Sequence, residues 1–240
     1  MPIRGVLFDV DDTLFDYSSS EEVGVLSHLR AEGLLERFPD PATAVALWRT
    51  IMEQQYARFV KGELTFPGQQ RERAREFLLR IGRATRAELS DRMVSAWFAG
   101  YEAHRNAAWA GFADAEPALR RLAPAYRLGI VSNSSADHQR RKLEAIGLLS
   151  YFGTVLVCSD QHGAAKPARS IFLAGCASLG LRPHEVAYVG DKYEIDAVGA
   201  RDAGLHAYWL DRANSGAGMD VGGSIRVIRS LDELPVALAG

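Results

Sequence analysis

A short apolar run that turns acidic before it can become a helix constrains this chain more than any other feature. Residues 6–10 read VLFDV, and Asp11, Asp12 and Thr13 follow at once. The run suits one strand and is too short for a helix. The next strand signal comes only at about residue 128, so any sheet that includes the first strand must be completed from a distant part of the chain.

Between the two lies a stretch with helical periodicity. Ser18 with Glu21, or Ser19 with Glu22, offers a capping box ahead of a first helix. A second helix carries Val45, Trp48, Met52, Tyr56 and Phe59 and stops at Gly62; a third follows Pro67 and Gly68 and stops near Gly82. A fourth is expected from the Thr85–Glu88 box, with Leu89, Met93, Trp97 and Tyr101 at intervals of four. That interval makes an apolar stripe, which packs against sibling helices.

From about residue 111 the pattern changes to alternation. Strands are expected at 128–132, 155–159, 186–190 and 207–210, with a last short one at 226–228. Helices fill the intervals: the first is capped by Asp114, later ones end at Gly147, Gly180 and Gly204, and the last spans 231–238. Strands alternating with amphipathic helices imply a parallel sheet covered on both faces. The expected fold is therefore α/β, a Rossmann-like parallel-sheet core of residues 1–16 plus 111–240, with residues 17–110 inserted as an all-helical cap domain. The glycine-rich stretch 215–224 lacks the spacing of a dinucleotide loop and reads as a flexible loop.

Composition narrows the function classes. A formal net charge of −2 over 240 residues supplies no broad positive field for nucleic acid. No apolar run is long enough to span a bilayer. Carboxylates interrupt the N-terminal run too early for a signal peptide, so a cytoplasmic location and no membrane partner are expected. Cys158 and Cys176 sit in apolar surroundings without the neighbours of a zinc site and read as small buried hydrophobes.

In open parallel sheets, ligands bind beyond the carboxyl ends of the strands. There the chain places Asp9, Asp11, Asp12 and Thr13 after the first strand and Ser132, Asn133 and Ser134 after the second. Lys166 and Pro167 lie in the segment after the third strand, and Asp191, Glu194 and Asp196 follow the fourth. Converging carboxylates raise one another's pKa unless a cation intervenes. Oxygen ligands with open positions suit Mg2+, which binds one or two carboxylates and keeps water or phosphate oxygens. Such a cation also neutralises an incoming phosphate that the carboxylates would repel. Lys166 adds a fixed positive charge, and the hydroxyls of Thr13 and Ser132 and the amides near Asn133 can donate to phosphate oxygens. Groups of this kind stabilise a transferring phosphoryl group. Of two carboxylates two residues apart, one can attack phosphorus while the other moves protons.

These segments resemble the motifs of the haloacid dehalogenase-like hydrolase superfamily. Asp9-Val10-Asp11-Asp12-Thr13 resembles its first motif, Ser132-Asn133 its second and Lys166-Pro167 its third. Gly190-Asp191-Lys192-Tyr193-Glu194-Ile195-Asp196 resembles the fourth, followed by a typical Gly199-Ala200-x-x-Ala203-Gly204. The resemblance covers the whole chain and implies a phosphatase with a helical cap between the first and second motifs. It implies that Asp9 is the nucleophile, forming an aspartyl-phosphate, and that Asp11 is the acid/base. It further implies that Asp9, the Asp11 carbonyl and Asp191 hold Mg2+, while Asp196 supports the metal shell or orients Lys166. Two positions depart from the usual pattern: Asp12 stands where glycine is frequent, and Lys192 where serine is common.

Other activities share this core. A phosphomutase uses the same acid/base and cap. A 2-haloacid dehalogenase replaces the second aspartate and needs no magnesium, so Asp11 and Asp191 argue against it, and the intact set argues against a non-catalytic binding protein. A helical insert can close over a small molecule. The expected partner is therefore a small-molecule phosphate ester: a sugar phosphate, a phosphoglycolate-like acid or a nucleoside monophosphate. The run Arg71-Glu72-Arg73-Ala74-Arg75 reads as a solvated helix face with paired charges, with Arg71 as the candidate contact for an anionic substrate. The histidines show no metal-ligand spacing; His162 is the one that could approach Lys166.

Overall fold

The structure, a computed structural model, describes residues 2–217 and 221–239. Six strands form one sheet: β1 (Gly5–Phe8), β2 (Arg127–Ser132), β3 (Leu156–Cys158), β4 (Val186–Gly190), β5 (His206–Leu210) and β6 (Ile225–Ile228). Their order is β3-β2-β1-β4-β5-β6, and every pairing is parallel. The chain builds outward from β1 to β3 on one side, then returns to the other side of β1 with β4. That reversal opens a crevice at the carboxyl ends of β1 and β4.

The described chain divides into two compact units, Met1–Tyr17 with Trp109–Gly240, and Ser18–Ala108. The second is helical: α1 (Tyr17–Ala31) leads into it, followed by α2 (Pro41–Val60), α3 (Phe66–Arg80) and α4 (Asp91–Ala107). Its core gathers Val25, Trp48, Phe77, Val94, Phe98 and Tyr101. Three local expectations fail here. Helix α1 begins at Tyr17, so Ser18 and Ser19 lie inside it rather than at its cap. Thr85 and Glu88 do bond to each other, but in the turn before α4, whose cap is the Ser90 hydroxyl. Met93 is 52% exposed, because an interval of exactly four drifts around a helix of 3.6 residues per turn.

In the other unit, helices α5 (Ala115–Leu122), α6 (Ala136–Ala145), α7 (Ser159–His162), α8 (Arg169–Leu179), α9 (Gly199–Ala203) and α10 (Leu234–Ala239) connect and cover the strands. The pleat of β1 sends Val6 and Phe8 into a cluster with Leu119, Leu143 and Leu234, and Leu7 into a second cluster with Phe172 and Ala200. A strand buried on both faces needs no polar alternation, which is why its sequence is a continuous apolar run. Helices α8 and α9 stop at Gly180 and Gly204, both left-handed, as a glycine past a helix end allows. Asp114 does not cap α5 with its side chain. Its carboxylate instead accepts from Arg212, Ser230 and the Leu231 amide, tying α5 to the C-terminal segment. Residues 218–220 of the glycine-rich stretch lie outside the described residues.

Candidate active site

Asp9 directly follows β1, and its amide donates to the Val189 carbonyl (2.9 Å), so its backbone is an extension of the ladder between β1 and β4. The residue is only 6% exposed. The loop beyond it turns back at once: the amides of Leu14 and Phe15 both donate to the Val10 carbonyl (2.9 Å each). Asp12 takes φ of +57° in that turn. This is the left-handed region that glycine enters freely and aspartate tolerates, which gives the departure at Asp12 a conformational meaning.

Lys166 is the centre of the buried charge cluster. Its Nζ donates to Asp9 Oδ1 (2.8 Å), Asp196 Oδ1 (2.7 Å) and the Tyr188 hydroxyl (2.9 Å). The loop carrying it is held by Asn133, whose Oδ1 accepts from the Lys166 amide (2.6 Å) and whose Nδ2 donates to the Lys166 carbonyl (2.9 Å). The Asn133 side chain is thus committed to the lysine's main chain. Asp196 is likewise fully engaged, with Oδ2 accepting from the Lys192 amide (3.0 Å). The Lys192 side chain itself is exposed.

Asp191 is different. Its Oδ1 is buried and has no hydrogen-bond partner among the described residues, while its carbonyl accepts from Trp209 Nε1 (2.8 Å). Carboxylate oxygens of Asp9, Asp191 and Asp196 lie within 4.8 Å of one another. A buried carboxylate oxygen without a donor is costly, so this donor set fits a hard divalent cation.

Electrostatics point the same way. Burial, and then the charges of Asp196 and Asp11, push the Asp9 carboxyl up to about 6, although Lys166 opposes the shift. Burial, with Asp196 and Asp9, raises Asp191 well above the usual carboxylate range. Burial works to lower the Lys166 ammonium, but Asp196 and Asp9 outweigh it and hold the lysine charged well above its ordinary value.

Asp11 points to another set of partners. Its Oδ1 accepts from Lys142 Nζ (2.5 Å) and its Oδ2 from Gln139 Nε2 (2.9 Å). Burial pushes its carboxyl up, but Lys142 and Gln139 prevail and hold it below the usual range. Gln139 Nε2 also reaches Ser132 Oγ (2.9 Å). The Thr13 hydroxyl is buried with no partner among the described residues, and the Thr13 carbonyl accepts from Arg212 Nη2 (3.0 Å).

Asp9, Lys166, Asp191 and Asp196 therefore meet in one cluster, while Asp11 and Ser132 are joined through Gln139. Arg71 lies in the helical unit, 3.6 Å from Asp91. The charged run around it is not a solvated face throughout, since Arg73 and Arg75 are buried and Arg73 lies over the rings of Trp48 and Phe98. His162 is half-buried and sits 3.0 Å from Ser170 Oγ. Sequence reasoning missed Gln139, Lys142, Tyr188 and Trp209. Gln139 and Lys142 had one available signal: they share the α6 face that carries Ala136 and Leu143, where a core helix ordinarily places apolar side chains.

A profile of the haloacid dehalogenase-like hydrolases matches residues 3–204. The chain is 31% identical over 205 residues to a glyceraldehyde 3-phosphate phosphatase of Methanopyrus kandleri, covering 85% of this chain and 82% of that one. It is 32% identical over 226 residues to a phosphoserine phosphatase of Thermus thermophilus, covering 86% and 88%. Among solved structures, the HAD-hydrolase YfnB of Bacillus subtilis, bound to magnesium, shares the fold at a TM-score of 0.80 and 21% identity, with both chains covered completely.

Proposed function

This chain belongs to the haloacid dehalogenase-like hydrolases and, by its curated relatives, is a phosphoric monoester hydrolase; on that premise we propose that it is a Mg2+-dependent phosphatase of a small phosphorylated metabolite, working through an aspartyl-phosphate on Asp9. The observation that carries the reading is the buried cluster in which Lys166 bridges Asp9 and Asp196 while Asp191 Oδ1 stays without a donor.

Asp9 and Asp191, with the Asp11 carbonyl, would hold the cation. When bound, Mg2+ would neutralise the carboxylates and draw charge from the phosphoryl oxygens. A free Asp9 oxygen attacks phosphorus while the other oxygen stays on Lys166, which fixes the direction of attack. As the bond from phosphorus to the ester oxygen breaks, Asp11, having entered the step in its protonated form, gives that oxygen its proton and is left as the carboxylate. Asp11 then takes a proton from the water that attacks the aspartyl-phosphate, releasing phosphate and restoring Asp9. Lys166, Thr13 and Ser132 neutralise or donate to the phosphoryl oxygens, and Asn133 keeps Lys166 in place. Asp196 also accepts from the Lys166 ammonium (2.7 Å), which keeps it beside Asp9.

The substrates favoured are sugar phosphates, phosphoglycolate-like acids and nucleoside monophosphates, with Arg71 of the helical unit as the candidate contact for a further anionic group. A cytoplasmic location belongs to the same reading; among the described residues no helix is long and apolar enough to cross a membrane. The test is a panel of phosphorylated metabolites, scored by kcat/KM for released phosphate with Mg2+ and with EDTA. Turnover that depends on Mg2+ and accumulates free phosphate is the expected result. Isomerised product without free phosphate would make the chain a phosphomutase, and undiminished turnover in EDTA would overturn the proposal.

A further inference from the structure

Both carboxylate oxygens of Asp11 are held by side chains from a single helix, Oδ1 by Lys142 and Oδ2 by Gln139. The two donors lie three residues apart on α6 and so project from the same face of it. That face is buried: Gln139 is 0% and Lys142 1% exposed. Stripping water from an ammonium and ordering a long side chain both oppose folding. Leu143, the neighbour on that face, fills its place with no such cost. The rings of Phe15 and Tyr17, 4.9 and 5.2 Å from the ammonium, give it a polarisable floor but no counter-charge. Asp11 supplies a counter-charge.

The orientation of Gln139 is not arbitrary. An ionised carboxylate only accepts, so the amide nitrogen must face Asp11. The same nitrogen lies 2.9 Å from Ser132 Oγ. One amide therefore ties Asp11 to the residue that closes β2.

We propose that Gln139 and Lys142 are positioning residues for Asp11, holding its carboxylate in one rotamer beside Ser132 so that it can exchange a proton with the leaving oxygen and then with the attacking water. The inference rests on the reading of Asp11 as the acid/base. An unrestrained aspartate samples several staggered rotamers. Proton transfer requires the carboxylate within hydrogen-bond reach of its target, and a misplacement of about 1 Å costs on the order of a hundredfold in rate. Two donors on one rigid helix remove that freedom.

The test is a double-mutant cycle read on two substrates. K142M keeps an unbranched side chain one atom shorter and removes the charge, Q139L removes the amide, and K142R restores a cation; each is made alone and with D11N. Turnover is measured on p-nitrophenyl phosphate, whose leaving group needs little help from an acid, and on whichever alkyl phosphate the enzyme turns over best. K142M is expected to lower kcat on the alkyl ester about 10- to 100-fold with KM changed less than about threefold, and to lower it less on p-nitrophenyl phosphate. In the D11N background K142M should change nothing further, and K142R should recover most of the lost rate. Effects that multiply in the double variant would overturn the proposal, as would an equal rise in KM on both esters or an unchanged kcat in K142M. Should K142M fail to fold, Q139L decides by the same cycle. A D11N enzyme as active as the wild type would remove the acid/base assignment itself, an outcome distinct from failure of the cycle.

Discussion

Oδ1 of Asp196 lies 2.7 Å from Nζ of Lys166, with the two residues 0% and 3% exposed. Both belong to the unit whose sheet presents Asp9, so the pair anchors the lysine that faces the proposed nucleophile.

Removing one partner of this pair leaves a buried charge short of compensation. Such losses run at about 3–5 kcal/mol, and Asp9 remains to share the load, so Asp196→Ala should cost about 3 kcal/mol. Urea unfolding measures it. A loss under about 1 kcal/mol would show that the pair is not buried as described.

Asp9→Asn keeps an acceptor for Lys166 but removes the nucleophile. Turnover should fall by about three orders of magnitude or more with little change in unfolding midpoint. Acid quenching during turnover should trap phosphorylated wild-type protein and none of the variant. Label trapped on the variant would move the nucleophile elsewhere.

Gly190 has no room for a side chain. A Cβ there would stand 2.4 Å from Asp196 Cγ and 2.7 Å from its Oδ2. Asp196 cannot retreat, because Lys166 and the Lys192 amide hold both oxygens. Gly190→Ala should therefore lose about 1–3 kcal/mol of stability and should also lower kcat by displacing Lys166. Wild-type kcat in a folded Gly190→Ala protein would contradict the coupling.

Magnesium should raise the melting temperature of the wild type, because a ligand that binds only the folded state stabilises it by mass action. Asp191→Asn should lose that increment and should melt no lower than the wild type in EDTA, since burial and neighbouring carboxylates disfavour the ionised aspartate. Equal increments in both proteins would exclude Asp191 as a ligand.

Acid stability has a separate origin at Asp211. Burial works against its charge, but the Gly216 and Ser215 amides, the Ser215 hydroxyl and Arg229 hold its carboxyl down at about 2. The unfolded carboxylate titrates near about 4, so the folded state binds a proton less readily. The stability it adds is present above about pH 4 and lost as pH falls towards about 2. Asp211→Asn should be the less stable protein at pH 7 and should lose less stability between pH 4 and 2. Parallel curves across that interval would refute the assignment.

Much of the fold and of the candidate site is legible in the sequence because the relevant signals are local. The apolar run at 186–190 gives that strand its observed bounds, and Cys158 and Cys176 are buried, as their surroundings imply. Asp9 and Asp191 are legible because each stands immediately past the carboxyl end of an apolar strand, and Lys166 because it lies in the segment beyond the third. Other features were not legible. Asp114 looks like a cap and instead binds Arg212 and the Ser230–Leu231 turn, partners about a hundred residues away. Gln139 and Lys142 share a helix face with Ala136 and Leu143, but that pattern cannot say which distant residue an inward polar side chain meets.

Periodicity and strand-end chemistry are properties of contiguous residues, so the sequence by itself determined the α/β class, the helical insertion and the acidic, lysine-bearing strand ends. The tertiary structure alone decided that Lys166 bridges Asp9 and Asp196, that Asp191 keeps a free oxygen, and that α6 turns Gln139 and Lys142 onto Asp11. Those pairings join residues up to 157 positions apart. They depend on strand order and on which helix faces which strand end, which are set by packing across the two faces of the sheet rather than by contiguous residues.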